Sequence, residues 1–339
     1  MTLSQTADFT KRFIAVSGIM LFLGIVSFTS YKLWHAYYIA HLPPIVEKPD
    51  TKFGQLPIPI FPSSLVSSSN FSYSLDTTTG SLPKIGVDLG FEKIIKVYFI
   101  TKSFSTLLSS EKSQNLAEKF NINSNAEILS DTKYLFKNGD KTLTVNLDTG
   151  NFSYNNTATI SGEISPDKDD KLVSDFKQIL SSLGVLTDDL KAGRNKITHL
   201  KPELGSSEIS LWPQNIDQKI IVGSNFNTSM ISSIVINSSG DLSNYLSLQY
   251  INFPIDTTTY ATYPTKSAEI AFNDLKTGKG VVVLEPTKPQ VSITSIYLGY
   301  YLPESYSPYL IPIYVFEGQN FVAYVPAITD EFLTQAKQN

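Results

Sequence analysis

The chain has 339 residues, of which 42% are apolar, 12% aromatic and 17% charged. That is enough apolar surface for more than one packed core, and it excludes a disordered, collagenous or coiled-coil chain. A formal charge of −4 with no Lys/Arg-rich stripe excludes the basic footprint that nucleic-acid binding needs, and the lack of any cysteine excludes disulfides, thiolate nucleophiles, iron–sulfur clusters and thiolate zinc sites.

From Phe13 to Tyr31 the chain carries no charged residue. At about 1.5 Å per residue such a stretch spans roughly 28 Å, close to the hydrocarbon thickness of a bilayer. Lys11 and Arg12 precede it, while Tyr31, Trp34, Tyr37 and Tyr38 follow it where interfacial aromatics anchor a helix. The expectation is a short cytoplasmic tail (1–12), a transmembrane helix (13–31) with its amino terminus inside, and an extracytoplasmic remainder. A cleaved signal peptide would have a shorter apolar core and small residues after it, whereas YKLWHAYY follows here.

Residues 32–62 form a juxtamembrane spacer containing Pro43, Pro44, Pro49, Pro57, Pro59 and Pro62, which discourage helix and favour extended chain. Phe53, Leu56, Ile58, Ile60 and Phe61 are too apolar for a solvated linker, so its distal half is expected to lie against the first folded module.

Beyond residue 62, Asp76–Gly80, Asp148–Gly150 and Asn237–Gly240 each follow an apolar or alternating run and read as strand-to-strand turns. Asn138-Gly139 and Glu317-Gly318 mark two hairpins. Apolar residues at helical spacing appear at Leu116, Ala117 and Phe120 after Ser113, and at Ala268, Ala271, Phe272 and Leu275. A third stripe, Leu172, Val173, Phe176, Ile179, Leu180 and Leu183, stops at Gly184. The predicted fold class is α+β: an N-terminal transmembrane helix, then two tandem modules of a helix packed on antiparallel sheet, 63–165 and 166–330, and a tail, 331–339.

The stretch Pro264–Ile328 contains PTKSAEIAFNDLKTGKG, VSITSIYLGYYLPE and LIPIYVFEGQNFVAYVPAI. In residue order and type, from Ser267-Ala268-Glu269 through Leu298-Gly299-Tyr300-Tyr301 to Pro312 and Tyr314, it resembles the PepSY-like fold of the YycH/YycI-type single-pass extracytoplasmic proteins. The resemblance covers about a fifth of the chain; residues 91–154 share only its outline. It implies a non-catalytic accessory protein that docks on a membrane partner such as a sensor kinase, PepSY domains elsewhere serving as propeptides or protease-inhibiting modules.

Catalytic chemistry is sparsely signalled. His35 and His41 lie beside the apolar segment, and His199 alone falls in the folded part, where a strand-surface histidine is the expected reading over a triad member. Asp167, Asp169, Asp170, Asp188 and Asp189 lack calcium-loop spacing and read as helix-start carboxylates; KTGKG (276–280) follows a helix and reads as its end. No catalytic, cofactor-binding or metal-ligating residue is assigned, and no cofactor is expected. The candidate partner surface is aromatic. Strand alternation puts Val291, Ile293, Tyr297 and Tyr301 on one face and Ile296, Leu298 and Tyr300 on the other, so Tyr297 and Tyr301, joined by Tyr306 and Tyr309, would form a patch unless Phe53 and Phe61 cover it. The expected function is a membrane-anchored binding or regulatory protein with an envelope protein as partner; the alternatives are an envelope hydrolase or glycan-processing enzyme, and a passive cell-wall binding module.

Overall fold

The computed structural model describes residues 3–40, 48–102, 106, 108–158, 167–201, 205–236 and 240–334. Pro43, Pro44, the expected boundary at 161–166, the turn at 237–239 and residues 335–339 lie outside them. Two compact units result, 1–48 and 49–339.

The first unit is helix α1 (Leu3–Ala40), and its window Val16–Tyr38 is long and apolar enough to cross a membrane. With no proline before Pro43, nothing stops the helix at Tyr31, and it runs through the aromatic belt. There the i, i+4 pairs Tyr31–His35 and Trp34–Tyr38 bring their ring centroids to 5.8 Å. Thr29 donates its hydroxyl back to the Ile25 carbonyl at 2.9 Å, which keeps a polar group satisfied within the apolar stretch.

The second unit is mixed α+β. In chain order it comprises β1 (Leu56–Pro57), β2 (Val66–Ser67), β3 (Ser72–Leu75), β4 (Ile94–Ile100), α2 (Ser109–Lys119), β5 (Glu127–Ser130), β6 (Lys133–Asn138), β7 (Lys141–Asn146), β8 (Phe152–Asn156), α3 (Asp169–Leu183) and α4 (Asp188–Ala192). Then follow β9 (Asn195–Lys201), β10 (Ser206–Leu211), β11 (Ile221–Val222), β12 (Ile231–Ile236), β13 (Tyr245–Tyr250), β14 (Ile255–Pro264), α5 (Ala268–Lys276), β15 (Val281–Leu284), β16 (Gln290–Tyr301), β17 (Tyr309–Gly318), β18 (Phe321–Pro326) and β19 (Leu333–Thr334).

The three apolar stripes become α2, α3 and α5. Helices α2 and α3 bury Ala117, Leu172, Phe176 and Leu180 against an all-antiparallel sheet of eight strands, ordered β5-β6-β7-β8-β13-β12-β10-β9. Helix α5 buries Ala268, Ala271, Phe272 and Leu275 against a nine-stranded sheet whose path is β11-β16-β17-β18-β15-β2, with β3 on β16 and the pair β4–β14 joined through β17. Each buried leucine or phenylalanine among them contributes about 1.5–3 kcal/mol.

The sheets do not divide at 165/166. Strand β8 pairs with β13 and β4 with β14, so strands from both sides of the expected boundary share each sheet. The eight-stranded sheet takes all its strands from residues 127–250, while the nine-stranded one takes its strands from before and after that block, apart from the short β11 inside it. Periodicity identifies a strand and its faces but carries no record of a partner more than a hundred residues away. The spacer's distal half is also placed differently. Strand β1 pairs with β19, Phe53 stacks on Tyr309 at 4.9 Å, and Phe61 packs on Tyr301 at 4.7 Å, so it covers the C-terminal strands rather than residues 63–165.

Both hairpins form, with their turns shifted. Gly139-Asp140 occupies the tip of β6–β7, and Gln319-Asn320 the tip of β17–β18. Gly318 serves close packing instead: a Cβ there would come within 2.4 Å of the Ser292 carbonyl oxygen on β16.

Candidate functional site

The four sequence-selected tyrosines do not form an exposed patch. Tyr301 is 1% exposed and donates its hydroxyl to the Ile60 carbonyl at 3.2 Å. Tyr297 is half-buried and donates to the Glu317 carboxylate; burial first, then that contact, pushes its hydroxyl pKa well up. Tyr306 donates to the Ile100 carbonyl at 3.1 Å, and Tyr309 carries Phe53. A bulge between Ile293 and Ser295 explains part of the difference. It shifts the alternation of β16, so Val291 and Ile293 join Leu298 in the core under α5, whereas Tyr297 and Tyr301 fall in a separate cluster.

His199 projects from edge strand β9. Its Nδ1 lies 3.0 Å from Ser207 Oγ and its Nε2 3.3 Å from Asp169 Oδ1 at the start of α3. The Ser–His–Asp order of a triad is thus present, but Ser207 is 1% exposed, and none of the three residues lines any of the four clefts described among these residues. A nucleophile must reach its substrate, and this hydroxyl faces the helix-covered side of the sheet. The remaining acidic residues sit as expected at helix starts, Asp169 and Asp170 in the first turn of α3 and Asp188 and Asp189 in that of α4. KTGKG ends α5, with Thr277 as its C-cap.

Sequence reasoning missed two polar constructions. Lys266 Nζ contacts Asp274 Oδ2 at 2.7 Å and Asp330 Oδ1 at 2.5 Å, while Lys279 contacts the other oxygens of the same two carboxylates at 3.1 and 2.9 Å. The side chains of Lys266 and Asp274 are each 4% exposed, so this closed quartet ties α5 to the one-turn helix at Asp330–Phe332. An aspartate within the apolar stripe of α5 was the available signal.

The second construction is a cleft of about 600 Å³ within the folded unit, lined by Lys96 and Tyr98 of β4, Asp188 and Asp189 of α4, the segment 213–217, and Asn252 to Thr257. Its wall includes the tight turn Ile216–Lys219, whose central residues Asp217 and Gln218 are left-handed at φ 48 and 61°. A non-glycine residue there costs about 1–2 kcal/mol. The turn is held by Tyr98, which donates to Asp217 Oδ2 at 2.5 Å, by Lys96 Nζ at 3.3 Å from Asp217 Oδ1, and by Lys219 Nζ on Glu92 Oε1 at 2.9 Å. Burial, then the bond to Asp217, raises the Tyr98 pKa, so its hydroxyl stays a donor. Lys96 also lies 4.9 Å from the Tyr260 ring centroid. The result is a cleft of mixed polar and apolar lining, with carboxylates, amides and one ammonium on its walls, of the size ligand sites have.

No family model matches this chain, and no curated protein matches it. Among solved structures, an uncharacterized protein from Eubacterium rectale ATCC 33656 is 12% identical, covering 72% of this chain and 87% of that one, with a TM-score of 0.39. The Bacillus megaterium YpeB C-terminal domain is 9% identical, covering 68% of this chain and 95% of that one, with a TM-score of 0.28. Likenesses at this level assign neither family nor activity.

Proposed function

We propose that this chain is a membrane-anchored, extracytoplasmic binding or regulatory protein of the bacterial envelope, acting through contacts with another envelope protein. A PepSY-like accessory module of the YycH/YycI type is the finer form of that reading, and it rests on the residue order of Pro264–Ile328. The observation that carries the binding role is the cleft itself, where the left-handed Asp217-Gln218 turn is braced by Tyr98, Lys96 and the Lys219–Glu92 pair. Strain held by surrounding contacts at an open cleft is a recurring feature of functional sites. The apolar helix supports the anchoring half.

The lining favours an extended polypeptide offering amide donors and a cationic side chain. Asp189 and Gln214 supply acceptors, and β14 presents exposed Thr257 at the rim. The hydrolase alternative draws on the Ser207–His199–Asp169 chain, against which the burial of Ser207 weighs.

A photo-crosslinking residue at Gln214 or Thr257 of the full chain, activated in native membranes, tests this. The expected result is a covalent adduct with the same protein from both positions and none from Thr79 on an exposed turn. Absence of adducts from both cleft positions, or identical adducts from all three, would overturn it.

A further inference from the structure

Between Lys84 and Lys93 the chain makes a loop that exposes apolar side chains where turns ordinarily carry polar ones. Leu89 is 99% exposed and Val87 77%. Single exposed apolar residues are commonplace, but this pair is held out by a built loop. Gly86 N donates to the Phe91 carbonyl at 2.6 Å, Asp88 N to the Lys84 carbonyl at 2.9 Å, and Lys84 N to Asp88 Oδ2 at 2.6 Å. Gly86 and Gly90 take φ of 74 and 83°. Lys93 lies so close over Gly86 that an added Cβ would come within 2.8 Å of its Cε. Phe91, buried, and Ile85, partly buried, anchor the base in the core beneath α5. The two apolar tips are therefore presented without a further ordering cost.

The place of the loop indicates what it meets. The chain enters the folded unit at Asp50, whose carboxylate accepts from Thr262 N at 2.8 Å, and Thr51 N donates to the Thr262 carbonyl at 3.1 Å. Three residues further along the same segment, Thr265 N donates to the Lys93 carbonyl at 3.0 Å, where the loop ends. At about 3.4 Å per residue the entry point and the loop's end are roughly 10 Å apart along one strand pair. Lys84 and Lys93, both exposed, flank the tip; of the two carboxylates in the loop, Asp88 accepts from Lys84 N and Glu92 pairs with Lys219.

We propose that the Val87/Leu89 loop is a second membrane contact, seating its two apolar side chains in the headgroup–acyl boundary about 5–10 Å deep, with the flanking lysines at the headgroups. The proposal rests on the anchoring reading above.

Because the chain has no cysteine, Leu89→Cys, Leu23→Cys and Ile128→Cys each give the full-length protein one site for an environment-sensitive fluorophore. The proteins are reconstituted in phosphatidylcholine–phosphatidylglycerol vesicles carrying nitroxide lipids. The expected result is strong quenching at 23 and 89 and none at 128, with quenching at 89 reduced severalfold by Val87→Asp. A label at 89 as unquenched as that at 128, while 23 is quenched, overturns the loop contact and leaves the anchor standing. An unquenched label at 23 overturns the anchor and the loop contact with it. Equal quenching at 89 and 128 reveals unspecific adsorption and also overturns the loop contact.

Discussion

The two sheets of the folded unit solve the problem of burying side chains differently. The eight-stranded sheet is covered on one face by α2 and α3 through phenylalanine and leucine, as in an ordinary helix-on-sheet layer. It also buries serines of β10 and β12 and ties Tyr250 to the Val185 carbonyl, 65 residues away. The nine-stranded sheet relies more heavily on tyrosine hydroxyls, and three of its ties span 204 to 241 residues. Tyr263 donates to Gly54, Tyr300 to Lys96, Tyr301 to Ile60 and Tyr314 to Lys266, each bridging segments far apart in sequence. Burial pushes the Tyr263 hydroxyl up to about 12, so it remains a donor at neutral pH. The quartet of Lys266, Asp274, Lys279 and Asp330 adds a charged tie. The apolar layer dominates the first sheet; the longest ties run through the second, the segment entering from the anchor included.

Substitutions separate the two modes. Lys266→Met removes one cation from the quartet and leaves Asp274 buried beside a single lysine, so it should cost about 3–5 kcal/mol in denaturant unfolding of the detergent-solubilised protein. Adding Asp274→Leu should return much of that loss; no recovery would show that the quartet is not a closed unit. Leu180→Ala, in the apolar layer, should cost about 2–5 kcal/mol. Hydrogen exchange should then rise first in the eight-stranded sheet, and a simultaneous rise in β16 and β17 would erase the distinction between the two regions. Ser267, whose side chain accepts from Ile270 N at 3.2 Å, caps α5, and Ser267→Ala should cost about 1 kcal/mol.

The smallest expected effect is a pH dependence. Hydrogen bonds from Lys266 and then Lys279 hold the Asp330 carboxyl below its ordinary value of 3.8. A lowered folded-state pKa means its contribution is present above pH 3.8 and is lost as pH falls through the folded value. Asp330→Asn should flatten that part of the acid unfolding curve, and an unchanged curve would remove the carboxylate from the tie.

The sequence exposes what is local. All three apolar stripes became helices on the expected faces, and the uncharged run became a helix, because period and breakers act over a few residues. It hid what is distant. The pairing of Ile94 with Pro264 has no local signature, one bulge near residue 294 moved Val291 and Ile293 to the α5 face of β16, and Phe61 and Phe53, more than two hundred residues away, cover Tyr301 and Tyr309. The cleft was illegible for the same reason: Tyr98 and Asp217 meet across more than a hundred residues, and the left-handed Asp217-Gln218 turn lacks the glycine that would announce it.

The proposed role requires the folded unit to lie on the outer side of the membrane. Thr79→Cys introduces the chain's only thiol at an exposed turn, so a membrane-impermeant maleimide applied to intact cells reads that side directly. Labelling without lysis is the predicted result; a thiol that reacts only after the cells are broken would contradict it.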